Sequence, residues 1–468
     1  MFAEVRELLS DWNASDAWIV ATAALAAMAC ALPGNYLVLR RQSLMGDALS
    51  HSALLGIVLA VLAANWIKTL LGLGDASYVA LVAGAAFAGA VLVGVLTAVL
   101  TEWVRNLGRV EASAALGVVF TTLFALGIVL IRAAAEGVHI DLQCVLLGEI
   151  VSVTLDTWSW NGWAIPRAAL ANGGMLLANS VLVLLFYKEL RLSAFDPGLA
   201  TTLGINARAM NYALMAVTAV TIVAAFRSVG SILVIAMLIV PPATAYLLTN
   251  RLGWMIGLSL AIAAATAVLG HVAAIVLPGI LLPRLGLPAV GSASTAGMMA
   301  AAGGGLFLLA LLLGPRQGLL NRAADGLRVG LRIAGDDLLG WLYRVEEFAP
   351  AGAEGAAPPV TMSGINPLVA RLATLRLRWR GLIERDGGGH RLTERGRHAA
   401  RGLVRSHRLW ESFMQKHIPV PDDHLHETAH RVEHYLDPEL RRELETELHR
   451  PRRDPHGRDI PPEPADKE

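Results

Sequence analysis

The chain has 468 residues, of which 55% are apolar and 16% charged, and its formal net charge is +1. This composition excludes a disordered chain and disfavours a wholly soluble protein, because soluble domains carry roughly 25% charged residues. The two cysteines, Cys30 and Cys144, form no CxxC motif, which excludes a disulfide framework and a cysteine zinc site.

Charge is distributed unevenly along the chain. Residues 1–314 contain 14 Lys/Arg and 14 Asp/Glu, whereas residues 315–468 contain 25 and 24, together with 10 of the 13 histidines. The first two thirds therefore have the composition of a membrane protein, and the last third that of a soluble, histidine-rich domain.

Membrane spans are predicted from length, since roughly 20 apolar residues cross the hydrocarbon as a helix. Nine such runs occur, at 17–39, 48–67, 76–100, 113–131, 168–187, 209–226, 229–249, 253–277 and 293–314. Lys/Arg residues follow alternate spans, which predicts an external N-terminus and a cytoplasmic tail. The expected fold class is therefore an all-α polytopic membrane protein with about 8–9 transmembrane helices.

Three ionisable residues lie within the predicted spans. Burying such residues in lipid is costly, so each is expected to have a structural or functional role. Asp47 and His51 are four apart and share one helix face, and such a pair suits a divalent transition metal. Alternatively, Asp47 caps a helix and His51 bonds a backbone carbonyl. His271 is alone in its span, where a packed, hydrogen-bonded side chain is more common than a metal ligand.

The segment 188–205 is amphipathic and expected in the cytoplasm. Asp196 and Pro197 predict the start of a short helix, and Gly204 its end. The helix could dock a partner or be a simple connector.

These residues carry a resemblance to a known family. The string from Leu39 to His51 resembles the N-terminal signature of the integral permeases of zinc/manganese/iron ABC importers. Four further segments resemble that family in the same order: 114–121, 188–205, 228–246 and 314–318. The resemblance implies that Asp47 and His51 are metal ligands in a transport path, with His271 as a companion.

The same resemblance implies a location in a bacterial-type inner membrane and a set of partners. It implies a permease homodimer, an extracytoplasmic metal-binding protein and an ABC ATPase that contacts the coupling residues Glu189, Phe195, Asp196, Ala200 and Gly204. The sequence contains no GxxxxGK[ST] motif and only four lysines, so this chain cannot itself bind ATP as a P-loop ATPase. We therefore expect a transport subunit that is not an enzyme, with ATP hydrolysed by a separate ATPase subunit.

The tail begins with a helical pattern near Asp336 and continues, beyond a Pro/Gly/Ala loop, as a basic helix from Pro367 to Arg380. A predicted strand, glycine turn and strand follow up to Gly396, as in a winged helix. Next comes the densest group of potential ligands, with helical spacings of three and four: His407, Glu411, His426, His430, Glu433 and His434. Nitrogen and oxygen ligands favour Mn, Fe or Zn; the alternative is a solvated amphipathic helix pair.

The tail resembles the metal-dependent diphtheria-toxin-repressor family from Asp336 to about Pro461. The resemblance implies that the six residues of that group are metal ligands, joined by Asp337 from the first helix. His430 departs from the Cys or Glu usual there, and the basic helix lacks the polar surface that reads bases. DNA binding is therefore possible but not expected.

The expected organisation has five parts: a transmembrane metal permease domain (1–320), a linker (321–335), a winged-helix-like segment (336–400), a helical metal-binding and dimerisation domain (401–461) and a tail (462–468). The function expected is a permease subunit of a Mn, Zn or Fe importer with a fused metal-sensing domain. The alternatives are a membrane-tethered metal-dependent transcription regulator that binds DNA and a proton-driven secondary transporter.

Overall fold

The structure is a computed structural model. It describes residues 12–72, 74–134, 150–160, 163–284, 286, 293–315, 318–348, 366–386, 389–418, 429–430 and 432–463. The chain divides into two compact units, Met1–Asn321 and Arg322–Glu468.

Every predicted apolar run of the first unit forms a helix. The nine helices are α1 (Ala14–Leu39), α2 (Leu44–Leu71), α3 (Asp75–Gly108), α4 (Ala112–Ala134), α5 (Arg167–Leu185), α8 (Ala207–Val229), α9 (Ser231–Leu248), α10 (Leu252–Arg284) and α11 (Thr295–Leu313). Eight of them are long and apolar enough to cross a membrane, and the apolar part of α9, Leu233–Leu248, is shorter.

Smaller elements connect these helices. A short 3-10 helix (Ile150–Thr154) and the antiparallel hairpin β1 (Thr157–Trp160) and β2 (Trp163–Pro166) precede α5. Two short helices, α6 (Tyr187–Phe195) and α7 (Pro197–Thr202), lie between α5 and α8.

Close backbone approach and buried polar links hold the helices of this unit together. A Cβ on Gly56 of α2 would lie 2.2 Å from the carbonyl oxygen of Gly89 on α3, so this contact requires glycine. Buried side chains also donate hydrogen bonds between helices, and these bonds are Asn35 Nδ2 to Ser259 Oγ (2.8 Å), Asn172 Nδ2 to Ser228 Oγ (2.9 Å) and Asn179 Nδ2 to Thr221 Oγ1 (2.9 Å). Such bonds satisfy polar groups that no water reaches.

The second unit is helical around one small hairpin. Its elements are α12 (Leu319–Phe348), which begins at the end of the first unit, then α13 (Pro367–Trp379), β3 (Ile383–Asp386), β4 (Gly389–Leu392), α14 (Glu394–His417), a 3-10 helix (Glu433–Tyr435) and α15 (Pro438–Glu447). The hairpin pairs Ile383 with Leu392. Both side chains pack with Leu338, Leu377 and Ala400 in the unit's core.

The predicted helix followed by a hairpin is confirmed at α13, β3 and β4, whereas its identification as a winged helix stays a prediction. The expected linker at 321–335 is instead the first half of α12. An amphipathic pattern runs through this stretch and buries Ala334, so the helix continues into the core.

Candidate functional site

Acidic and imidazole side chains from three segments converge in the second unit. Asp336 and Asp337 lie on α12, His407 and Glu411 on α14, and the segment around the second 3-10 helix supplies His430, Glu433 and His434. His426 lies outside the described residues.

Asp337, His430, Glu433 and His434 form the first half of this cluster. Each offers a ligand atom, and these atoms lie within 4.8 Å of one another. Asp337 Oδ1 is 3.2 Å from His434 Nε2 and 3.5 Å from His430 Nε2, yet this buried oxygen has no hydrogen-bond partner among the described residues. A buried carboxylate oxygen without a hydrogen bond beside two imidazoles fits a divalent cation of the Mn, Fe or Zn type.

His407 and Glu411 form the second half, and Glu433 lies between the halves. One oxygen of Glu433 is 2.5 Å from His407 Nδ1 and the other is 3.1 Å from His430 Nδ1. His407 Nε2 lies 3.0 Å from Glu411 Oε1, as the predicted spacing of four requires. His456 was not among the predicted ligands, although its Nε2 lies 3.9 Å from the same Glu411 oxygen.

Opposite charges set the protonation of this cluster. Burial raises the pKa of Glu433, but hydrogen bonds from His407 and His430 outweigh it and lower the pKa to about 2. Burial lowers the pKa of His434, but the carboxylates of Asp336 and Asp337 outweigh it and raise the pKa to about 9. The pKa of His407 is raised too, because Glu411 and Glu433 overcome its burial. A cation would therefore have to displace protons from these imidazoles.

A buried arginine, Arg408, joins separate segments of the second unit beside the cluster. Arg408 donates two hydrogen bonds to Glu347 (2.6 and 3.1 Å) and one to the backbone oxygen of Asp459 (2.5 Å). Its Nε is 3.6 Å from the buried carboxylate of Asp454, two residues before His456. Sequence reasoning included this segment only within the resemblance that runs to about Pro461, because its contacts with Arg408 and Glu411 join parts that are far apart in the chain.

Asp47 and His51 meet on α2 of the first unit. His51 Nε2 lies 3.2 Å from Asp47 Oδ1, and both side chains are about one third exposed (29% and 38%). The imidazole also packs against Phe124 of α4, with ring centroids 5.3 Å apart. The pair is thus packed against α4 and partly exposed.

His271 is placed elsewhere. Its Nδ1 lies 3.1 Å from Thr295 Oγ1, its Nε2 lies 3.3 Å from Asp16 Oδ1, and Trp12 packs edge-on against its ring. Asp16 lies in the first turn of α1 and Thr295 is the first residue of α11, so this contact joins three helices other than the one that carries Asp47. The structure does not bring His271 to the Asp47–His51 pair.

The predicted short helix within the segment 188–205 is confirmed. Asp196 caps α7 by accepting a hydrogen bond from the backbone N–H of Leu199 (2.9 Å), Pro197 is the first helical residue, and Gly204 follows with φ of +82°. Ala200 is buried and Glu189 is half-buried. Large apolar side chains stay exposed on this segment, namely Phe195, Leu199 and Leu203.

Comparison with known proteins identifies the first unit. The model of the ABC 3 transport family matches residues 15–280, which is more than half of the 468-residue chain. The chain belongs to the ABC 3 transport family. A second model, described as the metal binding and dimerisation domain of the iron dependent repressor, matches residues 393–462 of this ABC 3 family member.

Relatives of this ABC 3 family chain are membrane components of metal transport systems. The manganese transport system membrane protein MntD of Bacillus subtilis is 38% identical over 321 residues, which are 68% of this chain and 99% of MntD. The zinc transport system membrane protein TroD of Treponema pallidum is 36% identical over 382 residues, 81% of this chain and 96% of TroD. The solved structure of PsaBC from Streptococcus pneumoniae in complex with Fab matches with a TM-score of 0.50 and 28% identity, covering 69% of this chain and 100% of that chain.

Proposed function

We propose that this chain is the membrane-spanning permease subunit of an ABC importer for manganese, zinc or iron. The observation that carries the proposal is the ABC 3 family match over a unit that places a carboxylate and an imidazole together on an apolar helix. Manganese and zinc transport by the relatives supports this substrate class. Asp47 and His51 would bind the metal in transit.

Uptake of the metal by cells tests this assignment. Asp47→Asn and His51→Gln should each abolish accumulation of the cognate metal while the protein still reaches the membrane. Glu111→Gln is the matched control, because this exposed carboxylate lies next to α4 and away from the pair. Elemental analysis that finds normal accumulation with both site variants would refute the metal-ligand role.

We further propose that α6 and α7 dock a separate ATPase subunit. The exposed apolar side chains of Phe195, Leu199 and Leu203 support this proposal, because such a group on a polar surface is typical of a protein interface. Leu199→Asp should prevent co-purification of the ATPase, whereas Leu440→Asp, an equally large exposed residue of the second unit, should not. Co-purification that survives Leu199→Asp would contradict the docking role.

For the second unit we propose a metal sensor that slows import when cytoplasmic metal is high. The convergence of ligands from α12, α14 and the segment between α14 and α15 supports this role, because a cation that holds three segments together favours one conformation over others. Metal that has crossed the membrane would bind Asp337, His430, Glu433 and His434, with His407, Glu411 and His426 as a second group. An extracytoplasmic binding protein and a second permease copy complete the assembly proposed.

Transport at high external metal tests the sensor. Deleting 325–468, or replacing Glu433 by glutamine, should leave uptake active and remove its shut-off, whereas Glu439→Gln on the exposed face of α15 should not. Shut-off that persists in the deletion variant would refute feedback. If the metal-bound chain instead retards a specific operator duplex in a gel, the transcription-regulator function is the correct one.

A further inference from the structure

Helix α13 presents an apolar stripe to the outside of the second unit. Leu368, Leu372, Leu375 and Trp379 follow one another at spacings of four, three and four, so they share one face. They are 65%, 47%, 58% and 93% exposed. The opposite face is anchored, because Ala373 and Leu377 are buried and Leu377 packs in the unit's core. The stripe therefore lies on the face of α13 that points away from the unit's core.

Cationic side chains flank the stripe on both sides. At 3.6 residues per turn, Arg371 and Arg378 lie on one side of it and Arg376 on the other. The helix contains no acidic residue, and among the described residues no carboxylate lies within ion-pair distance of these three arginines. An apolar face between two cationic edges is typical of helices that lie in the interfacial plane of an anionic membrane.

We infer that α13 binds the surface of an anionic lipid bilayer, with Leu368, Leu372, Leu375 and Trp379 among the acyl chains and the arginines against lipid phosphates. The chain itself supplies the proximity, because the second unit begins at Arg322, nine residues after the last apolar helix ends at Leu313. Tethering raises the effective concentration of α13 at the bilayer. Trp379 and Arg380, at the end of the helix, are residue types that favour the headgroup region.

Charge and side-chain type argue against two other occupants of this face. A second copy of α13 would bring three more arginines against these three without any acidic partner on either helix. Reading base edges in a DNA groove needs polar side chains. Three of the four residues of this stripe are leucines, whose side chains have no polar group.

Amide hydrogen exchange of the full chain in nanodiscs tests the inference. Exchange of 367–379 should be slower in discs that contain phosphatidylglycerol than in discs of phosphatidylcholine alone. Each arginine near an anionic surface strengthens membrane binding about fivefold, so three arginines favour the bound state by on the order of a hundredfold at low salt. High salt should reduce the difference, because it screens the arginines.

Two variants and one control identify the surface responsible. Leu372→Glu and Leu375→Glu should each remove the protection by anionic lipid, whereas Leu440→Glu, an exposed leucine on α15, should retain it. Unchanged exchange of β3 and β4 in the variants checks that the unit stays folded. A brominated acyl chain should quench a fluorophore attached to Trp379→Cys.

Three results would overturn the inference. The first is protection of α13 that is equal in both kinds of disc and unaffected by the glutamate variants. The second is protection that requires two copies per disc whatever the lipid, which would assign the stripe to self-association. The third is protection by duplex DNA and not by anionic lipid, which would assign it to nucleic acid.

Discussion

Replacing Asp336 by asparagine should change the way pH controls metal binding at the Asp337–His434 cluster. Asp336 Oδ2 lies 3.5 Å from His434 Nδ1, while the other ring nitrogen faces Asp337 at 3.2 Å. If a metal bound Nε2 of His434, Asp336 would be the carboxylate that faces the other nitrogen, Nδ1, of the same ring. Such carboxylates orient the ligand, and their loss typically costs 10–100-fold in metal affinity.

The size of the pH effect follows from the pKa of His434. Metal requires the neutral imidazole, but the carboxylates of Asp336 and Asp337 outweigh burial and raise the pKa to about 9. Below that pKa the proton competes with the metal, so affinity should fall by about tenfold per pH unit from this residue alone. Between pH 8 and pH 6 the loss is about a hundredfold. Without the Asp336 charge the pKa is lower, so the variant should lose less affinity over the same range.

Calorimetric titration of the full chain with Mn(II) measures both effects. An Asp47→Ala background removes the pair in the first unit, and two buffers of different ionisation enthalpy give the number of protons released. We expect Asp336→Asn to bind more weakly at high pH, with a difference that shrinks as pH falls. Asp325→Asn is the control, because this exposed residue of α12 pairs only with Arg328 among the described residues. Equal pH slopes for Asp336→Asn and the unmodified chain would refute the role of the His434 proton.

Three further predictions concern stability. Arg408→Met leaves the buried carboxylate of Asp454 without its arginine and should lower the free energy of unfolding of the second unit by about 3–5 kcal/mol in urea denaturation, whereas Arg453→Met, at an exposed position, should change it by less than about 1 kcal/mol. Gly56→Val should lower thermal stability in detergent because a Cβ there would lie 2.2 Å from a backbone oxygen of α3, while Gly304→Val, with no atom of the described residues within 4 Å of its Cβ, should not. Without metal, the second unit should lose stability as pH rises from about 6.5 to 9, since the fold favours protonated His434 and raises its pKa to about 9; a melting temperature that rises with pH would contradict this.

Local features of the fold were predictable because each depends on neighbours in the chain. Apolar runs long enough to span a bilayer became helices without exception, since the backbone in lipid must satisfy its own hydrogen bonds. The limits of α7 followed from a cap at Asp196 and a glycine at Gly204. The contact of His407 with Glu411 followed from a spacing of four residues on one helix.

Contacts between distant parts of the chain were not predictable in the same way. His271 contacts Asp16, 255 residues away, whereas the sequence left open whether it meets the Asp47–His51 pair. Span length predicts that each of these residues lies in a helix, but it does not predict which helices pack together. Close approaches such as that of Gly56 and Gly89 decide the neighbours, and they depend on the shape of both surfaces.

The sequence by itself determined the division into an apolar and a charged part, the positions of the helices and most of the candidate ligands, because composition, period and caps are local properties. Only the tertiary structure decided that Glu433 lies between His407 and His430, that Asp336 lies behind His434, and that α13 turns its leucines outward. Those arrangements depend on how segments far apart in the chain pack around one core. In a close-packed core each contact depends on the others, so none of them follows from its own residues alone.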